Sequence, residues 1–494
     1  MADTASRERH LWTRRRLLAA AGAGAAGSLT ASLFGRNFIG SVLSATPPAT
    51  HRYWTRPDLR PPVVTVTTKA VHTSAGYLLS TPNSTTSGGS MISDNHGHPI
   101  WFRPSNGVST ANLQVQSYQG APVLTWWEGQ VNSGVGTGEY VIMDGSYREI
   151  RRVRAGNGYQ GDLHEFLITP AGTALLTAYN QVMTDLTSVG GPQRGPVLDS
   201  LIQEVDLPTG QVLFEWHSLD HVKVDHSHSR IDAQPGRPYD YFHVNSIDVD
   251  HDGHLLVSAR NTWTIYKIHR DSGAVIWRLG GKKTDFALGD DVQFAWQHDA
   301  RRQPDGTITL FDDGAAPAVE PQSRGLALEL DEMAKTAKLK REYAHPGRLL
   351  AGSQGNTQAL PNGNVLIGWG AEPYVSEFSA DGHVLFDARL PNGVYSYRTF
   401  RQPWIGRPTD QPAIAARFDS SGQATVFASW NGATEVSRWQ VLNGPSASLL
   451  SPLAAARNTG FETAITVNRR APYLAVRALD ASGAPLGASS AIRL

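Results

Sequence analysis

His164, Asn245 and His298 each stand six positions ahead of a turn that closes on glycine. The three segments are His164-Glu-Phe-Leu-Ile-Thr-Pro170-Ala-Gly172, Asn245-Ser-Ile-Asp-Val-Asp-His251-Asp-Gly253 and His298-Asp-Ala-Arg-Arg-Gln-Pro304-Asp-Gly306. A fourth copy, Gly355-Asn-Thr-Gln-Ala-Leu-Pro361-Asn-Gly363, keeps the turn but has glycine at the polar position. A neutral imidazole nitrogen is a nucleophile or a base, and a protonated one donates a proton. A carboxamide holds oxygen atoms without changing charge. Fixed spacing from a repeated turn means repeated geometry, so these side chains are expected to point at one shared place. His243, two residues before Asn245, lies on the same strand face. Structural histidines have no reason to share a register, so the set reads as a reaction centre rather than a core. The glycine at 355 is expected to leave the ring space for substrate.

Short strands must position these groups. From about residue 65 to 400 a pattern of four short strands repeats, clearest at Val244–Val249, 254–258, 263–269 and 275–278, with turns at Asp252-Gly253 and Asp271-Ser-Gly273. Related units fall near 75–103, 112–153, 162–216, 298–343 and 353–389. Six such units predict an all-β fold, a six-bladed β-propeller over 66–405. The first strand of each blade then lines a central channel, and the end of the second strand returns to the same mouth. Counting seven residues past the turn glycine brings Arg260 (after Gly253) and Trp127 (after Gly120) there, with Trp126 beside it. Imidazoles, a guanidinium, a carboxamide and indoles together suit an aromatic anion.

The remainder of the chain adds an address and a companion module. Thr13-Arg14-Arg15-Arg16-Leu17-Leu18 opens an Ala/Gly-rich apolar stretch, the pattern of a twin-arginine export signal over 1–45. Cleavage is expected after Ala45, and an uncleaved anchor is the alternative, because residues 17–34 approach the minimum spanning length. Residues 46–65 read as a linker. After Trp404 about seven short strands over 410–494, with Trp430 and Trp439 at core spacing, predict a fibronectin- or immunoglobulin-like β-sandwich without a catalytic constellation.

Composition removes several function classes. The 494 residues hold no cysteine, which excludes disulfides, thiolate catalysis and iron–sulfur clusters. Lysines plus arginines number 44, as do aspartates plus glutamates, so there is no basic stripe for nucleic acid. Asp248-Val-Asp250-His-Asp252-Gly253 starts like a calcium loop, but Ala259 stands where the closing acid is due. No metal and no cofactor is expected.

His164-Glu-Phe, His243-Val-Asn-Ser246, Ser258-Ala-Arg260-Asn261 and Trp296-Gln-His298-Asp-Ala resemble, in combination, the motifs of bacterial arylsulfotransferases that use no nucleotide sulfate donor. The likeness covers about 70–400, and the absence of cysteine together with a C-terminal rather than N-terminal sandwich fits the actinobacterial-type branch. The resemblance implies a six-bladed propeller that moves a sulfuryl group from an aryl sulfate to a phenol. It implies that His298 becomes sulfated, and that His164, His243, Asn245 and Arg260 hold the sulfate oxygens and assist the leaving group. Trp127 and Trp126 are expected to bind the aromatic rings. The competing reading is a non-enzymatic extracytoplasmic propeller that binds an aryl anion or a cell-surface partner. A calcium-dependent lactonase would need axial Glu, Asp and Asn, where this chain has mostly histidine.

Overall fold

In this computed structural model residues 47–494 are described, apart from 232–236, 421–422, 469–470 and 494. The signal expected over 1–45 lies outside the described residues. The chain is all-β and propeller-like, built of four-stranded antiparallel meanders. The clearest runs Val244–Val249, Leu255–Ala259, Thr264–Ile268 and Val275–Gly280, from first to last strand. All of Leu255–Ala259 is buried, because neighbouring meanders cover both faces of the sheet. The turns between first and second strands carry Gly172, Gly253, Gly306 and Gly363 at φ 80, 84, 86 and 86°. Each of these glycines donates its N–H three residues back, Gly253 to Asp250 O at 2.8 Å for example. Only glycine takes that left-handed position without cost, which explains the repeat seen in the sequence.

First strands follow one another around a ring. Ser109–Tyr118 packs on Gly161–Ile168, that on Val244–Val249, that on His298–Arg302, and that on Asn356–Ala359. The circuit returns through Tyr395–Gln402, a strand from the far end of the repeat region, which packs on both Asn356–Ala359 and Ser109–Tyr118. Tyr395–Gln402 pairs with Tyr77–Asn83 and stands first in the meander that continues through Gly89–Ser93 and Pro99–Pro104. Thr65–Thr68 conversely adds a fifth strand beyond Val384–Arg389. The first and last units are therefore completed by strands distant in sequence. Two neighbouring meanders, 109–153 and 161–217, merge into one eight-stranded sheet, and among the described residues no sheet closes on itself.

Beyond residue 410 two sheets share one core. Ala413–Phe418, Gln423–Ser429 and Glu462–Asn468 form one. Arg438–Ser446, Leu449–Arg457, Tyr473–Leu479 and the short Pro485–Ala488 and Ile492–Arg493 form the other. Val426, Trp439, Ile465, Leu474 and Val476 meet between them. Trp430, expected as a core residue, is only partly buried, and its indole N–H donates to Asp410 O at 3.0 Å. The segment after residue 46 is packed rather than free: Leu59 is buried against Met91, Phe102 and Phe461, and the Thr55 N–H donates to Glu462 Oε2 at 2.7 Å.

Candidate active site

The first strands deliver polar side chains inward because their pairing is irregular at the same level. Register shifts fall at Asn112, at His164, at Asn245, directly after His298, and at Arg398. A bulge of this kind re-aims a side chain that a regular strand would place on the sheet face. Asn112, His243 and Asp299 take left-handed φ of 67, 58 and 57°, so the backbone is strained where the site is built.

Three histidines meet there, each with its own carboxylate. Nδ1 of His298 lies 2.7 Å from Asp313 Oδ2, Nδ1 of His164 2.5 Å from Asp162 Oδ2, and Nδ1 of His243 2.5 Å from Asp240 Oδ2. The His164 and His243 rings stand edge to face at 4.8 Å. Tyr397 bridges the group, its ring 5.5 Å from His164 and 6.4 Å from His298. Arg260 joins through the backbone, its N–H donating to His243 O at 2.9 Å. Its guanidinium lies 4.8 Å over the Trp296 ring and donates to Gly352 O at 3.0 Å.

The tautomer of His298 follows from its partners. The Gln354 backbone N–H approaches Nε2 at 3.2 Å, and since that group can only donate, Nε2 presents its lone pair. The ring proton therefore sits on Nδ1 and is donated to Asp313. Burial pushes the His298 imidazole well below its ordinary range, and the charges of Arg260, His243, His164 and Arg398 push the same way. Burial also lowers His164, against the pull of Asp162. Burial raises the Asp313 carboxyl well above the carboxylate range, with Arg260 opposing. Burial works against the charge of Arg260 as well, while Asp313 and Asp240 sustain it; a guanidinium stays protonated inside proteins. The result is a neutral nucleophilic nitrogen beside a fixed cation.

Polar atoms without hydrogen-bond partners concentrate here. Among the described residues Asp240 Oδ1, Asn245 Oδ1, Arg260 Nε, Trp263 Nε1, Asp313 Oδ1 and Gln354 Oε1 are buried and unpartnered. Native interiors leave few such groups, so the cluster marks a place built for a ligand. Beside it opens a cleft of about 630 Å³, with Asp240, Arg260, Asn261 and Trp296 in its wall. No three His, Asp or Glu side chains among the described residues are placed to hold one metal ion.

His298, His243, His164, Arg260 and Asn245 are thus brought together, though Asn245 arrives in a different posture. Its carboxamide nitrogen donates to Gln297 O at 2.7 Å, tethering the strand that carries His298, and its Oδ1 is an acceptor, the wrong polarity for a sulfate oxygen. Asn112 makes the matching tether to His164 O at 3.1 Å. It stands eight residues before Gly120, the same register as the other three, and that spacing could have found it.

Trp126 and Trp127 do not line the cleft. Trp127 is 1% exposed, with its indole N–H bound to Gly161 O at 3.0 Å, and Trp126 is buried between sheets against Trp101. The cause is parity. Tyr118 and Ala121 flank a two-residue turn, whereas the turn between Val249 and Leu255 has five residues. Pairing places Trp127 opposite Ala111 and Ala259 opposite Val244, so Trp127 corresponds to Ala259 rather than Arg260. A one-residue offset turns a strand side chain to the other face. The cleft's aromatic face is Trp296, with Trp263 edge-on at 5.1 Å and His228 stacked on Trp263 at 3.6 Å.

Below the histidines the axis is plugged. Arg398, fully buried, donates to Asn245 O at 2.8 Å and approaches Glu165 at 3.3 Å and Asp299 at 3.4 Å. Arg301 binds the same Glu165 at 2.5 Å. These charges were not singled out in the sequence, because the strand of Arg398 reaches the axis from the end of the repeat region.

An all-β ring of meanders with a histidine–carboxylate cluster at its axis defines the class of protein. The chain belongs to the arylsulfotransferase (ASST) family, whose model matches residues 114–390, more than half its length. No curated protein matches it. Similar solved structures include a protein of unknown function from Bacteroides caccae, 14% identical, with TM-score 0.41 over 66% of this chain and 98% of that one. Another is a catalytically inactive virginiamycin B lyase from Staphylococcus aureus with quinupristin, 9% identical, with TM-score 0.35 over 75% of this chain and 97% of that one. Family membership supports a sulfotransferase function.

Proposed function

We propose that this chain is a nucleotide-independent aryl-sulfate sulfotransferase that works by ping-pong transfer through a sulfohistidine at position 298. The observation that carries the reading is the neutral His298, with its proton on Nδ1 against Asp313 and its lone pair on Nε2. In the first half-reaction Nε2 attacks sulfur in line. The N–S bond forms as the sulfur–aryl oxygen bond breaks, and the electron pair leaves on the phenolic oxygen. His243 protonates that oxygen. Asp240, which orients His243, lines the cleft, whereas His164 packs behind against Asp162; this favours His243 as the proton donor. Sulfation makes the Nδ1 proton acidic, and Asp313, raised by burial, is suited to take it. Arg260 balances the charge on the non-bridging oxygens, the dominant demand in such transfers. In the second half-reaction a phenol gives its proton to His243 and attacks sulfur. The N–S pair returns to Nε2, and Asp313 returns its proton to Nδ1.

The Gln354 N–H on Nε2 favours the second reading, a non-catalytic site for an aryl anion, because attack requires that contact to open. Incubation with an aryl sulfate and a phenol, without nucleotide, separates the two. Parallel lines in double-reciprocal plots support transfer; no turnover over a panel of phenols supports binding alone.

We read the four-stranded meanders as a six-bladed propeller over 66–405, supported by the circuit of first strands. The two sheets over 410–494 read as a fibronectin- or immunoglobulin-like sandwich, supported by their shared core. Residues 1–45 read as a twin-arginine signal that exports the enzyme, supported by Arg14-Arg15 ahead of the apolar stretch and by the lack of cysteine. Fusion of 1–45 to a reporter tests this: loss of export on Arg14→Lys/Arg15→Lys is expected, and unchanged export contradicts it.

A further inference from the structure

We infer that Arg260 operates a latch on the nucleophile. In the free protein it holds the segment from Gly352 to Gln354 so that the Gln354 N–H caps His298 Nε2, and a sulfuryl group bound to Arg260 releases that cap. The inference rests on the transfer reading above and deepens it, since attack requires the cap to open.

The donors of Arg260 are divided between its two edges. Nη1 donates to Asn261 Oδ1 at 3.0 Å. Nη2 donates to Gly352 O at 3.0 Å and more weakly to Ala315 O at 3.4 Å. Nε is buried and has no partner. In a guanidinium Nε and Nη2 present parallel N–H bonds, the fork that fits two oxygens of an anionic group. Arg407 uses that same edge on Glu435, at 2.6 and 3.0 Å. On Arg260 one prong of the fork is thus unsatisfied and the other is spent on neutral carbonyls. A hydrogen bond to a charged oxygen is roughly twice as strong as one to a neutral acceptor. A sulfuryl group therefore takes both prongs, and Gly352 O loses its donor.

Gly352 stands two residues before Gln354, in a stretch pinned at both ends. The Ala351 N–H donates to Ser323 Oγ at 2.8 Å, and the Gly355 N–H to Tyr397 O at 2.9 Å. Three contacts fix the conformation in between. Gly352 O is held by Arg260, Ser353 O accepts from the Ala371 N–H at 3.0 Å, and the Gln354 N–H reaches Nε2 at 3.2 Å. Gln354 is kept there at a left-handed φ of 71°, which is unfavourable for a residue with a Cβ. Its Oε1 is buried without a donor to offset that strain. A conformation maintained by its contacts gives way when one of them is withdrawn. Nε2 is then open only to a substrate that brings anionic oxygens to Arg260.

Amide hydrogen exchange, read residue by residue over 350–356, tests the latch, with the Gly355 amide as internal reference. Benzenesulfonate is the probe, because its carbon–sulfur bond is not transferred, and calorimetry sets the saturating concentration. It is expected to speed exchange at Gln354 about tenfold, the scale of one hydrogen bond, and to leave Gly355 unchanged. Arg260→Met, which keeps the apolar length without a donor, is expected to do the same with no ligand. Should that variant unfold, speeding Gly355 as well, the benzenesulfonate arm decides alone. Exchange at Gln354 that is unchanged or slowed by benzenesulfonate, or failure of benzenesulfonate to bind, overturns the inference; transfer from an aryl sulfate in the same preparation then leaves the transfer reading intact. Faster exchange at Gln354 with no transfer from any aryl sulfate keeps the latch as part of an anion-binding site and overturns the transfer reading instead.

Discussion

Asp313 Oδ2 meets His298 Nδ1 at 2.7 Å, and both side chains are almost wholly buried. That contact, with the Gln354 N–H on the opposite nitrogen, decides which atom of the ring can react. On the proposed transfer route it also supplies the group that would take up the ring proton once Nε2 carries the sulfuryl group.

Asp313→Asn is expected to lower kcat on the order of a hundredfold or more. An amide in place of a buried carboxylate no longer enforces the Nδ1 tautomer, and such replacements are costly where one nitrogen must react. Steady-state rates with urea unfolding in parallel check this. A normal rate in a normally folded variant contradicts the role given to Asp313.

His298→Ala is expected to abolish transfer and also to cost about 1–3 kcal/mol of stability, because it strands the Asp313 carboxyl in the interior. Adding Asp313→Ala to His298→Ala should recover part of that loss without restoring transfer. Chemical denaturation of the single and double variants measures both.

The pH dependence has a defined sign. His298 and His164 are held below the ordinary imidazole value of 6.5 in the folded protein, so the unfolded chain binds the extra protons first. Their contribution to stability is present above pH 6.5 and is lost as pH falls through that value toward the folded ones. Unfolding at pH 8 and pH 5.5 should show the shift, and it should shrink in His164→Asn. For the same reason, protonation of His298 should not limit the donor's kcat/KM until well below pH 6.5.

Arg398→Met is expected to destabilise the protein by about 3–5 kcal/mol, the cost of leaving partners buried without their counter-charge. Glu165, which also binds Arg301, and Asp299 are those partners. Urea midpoints measure it, and combining Arg398→Met with Glu165→Gln should regain part of the loss.

Gly355 was expected to leave room for substrate, and the structure gives it another task. A Cβ there would meet the Phe311 ring at 2.5 Å and Gly368 O at 2.9 Å, at a φ of 99°. Gly355→Ala is therefore expected to cost about 1–3 kcal/mol through overpacking, and to disturb Gln354 beside it. An unchanged unfolding midpoint would count against this packing role.

The turn register made the site legible because a glycine that must be left-handed leaves a mark at fixed distance from the axis. His164, Asn245 and His298 were found that way, His243 and Arg260 by counting along their strands. The same counting failed for Trp127, since hairpin length alters parity and the sequence does not show where a turn ends. The carboxylates Asp162 and Asp240 stand two and three residues before their histidines and were within reach of inspection. Asp313 sits 15 residues beyond His298, past a hairpin, and only the pairing of strands brings it back. Arg398 and the ring-completing strand Tyr395–Gln402 depend on contacts between the two ends of the repeat region, which leave no local pattern.

The most direct measurement is a single exposure of the protein to an aryl sulfate without acceptor, followed by digestion under mildly basic conditions and mass spectrometry of the peptide containing His298. The account predicts a stoichiometric release of phenol and one SO₃ group on His298, discharged when a phenol is added. A burst of phenol with the adduct on another residue, or turnover with His298 never modified, would contradict it.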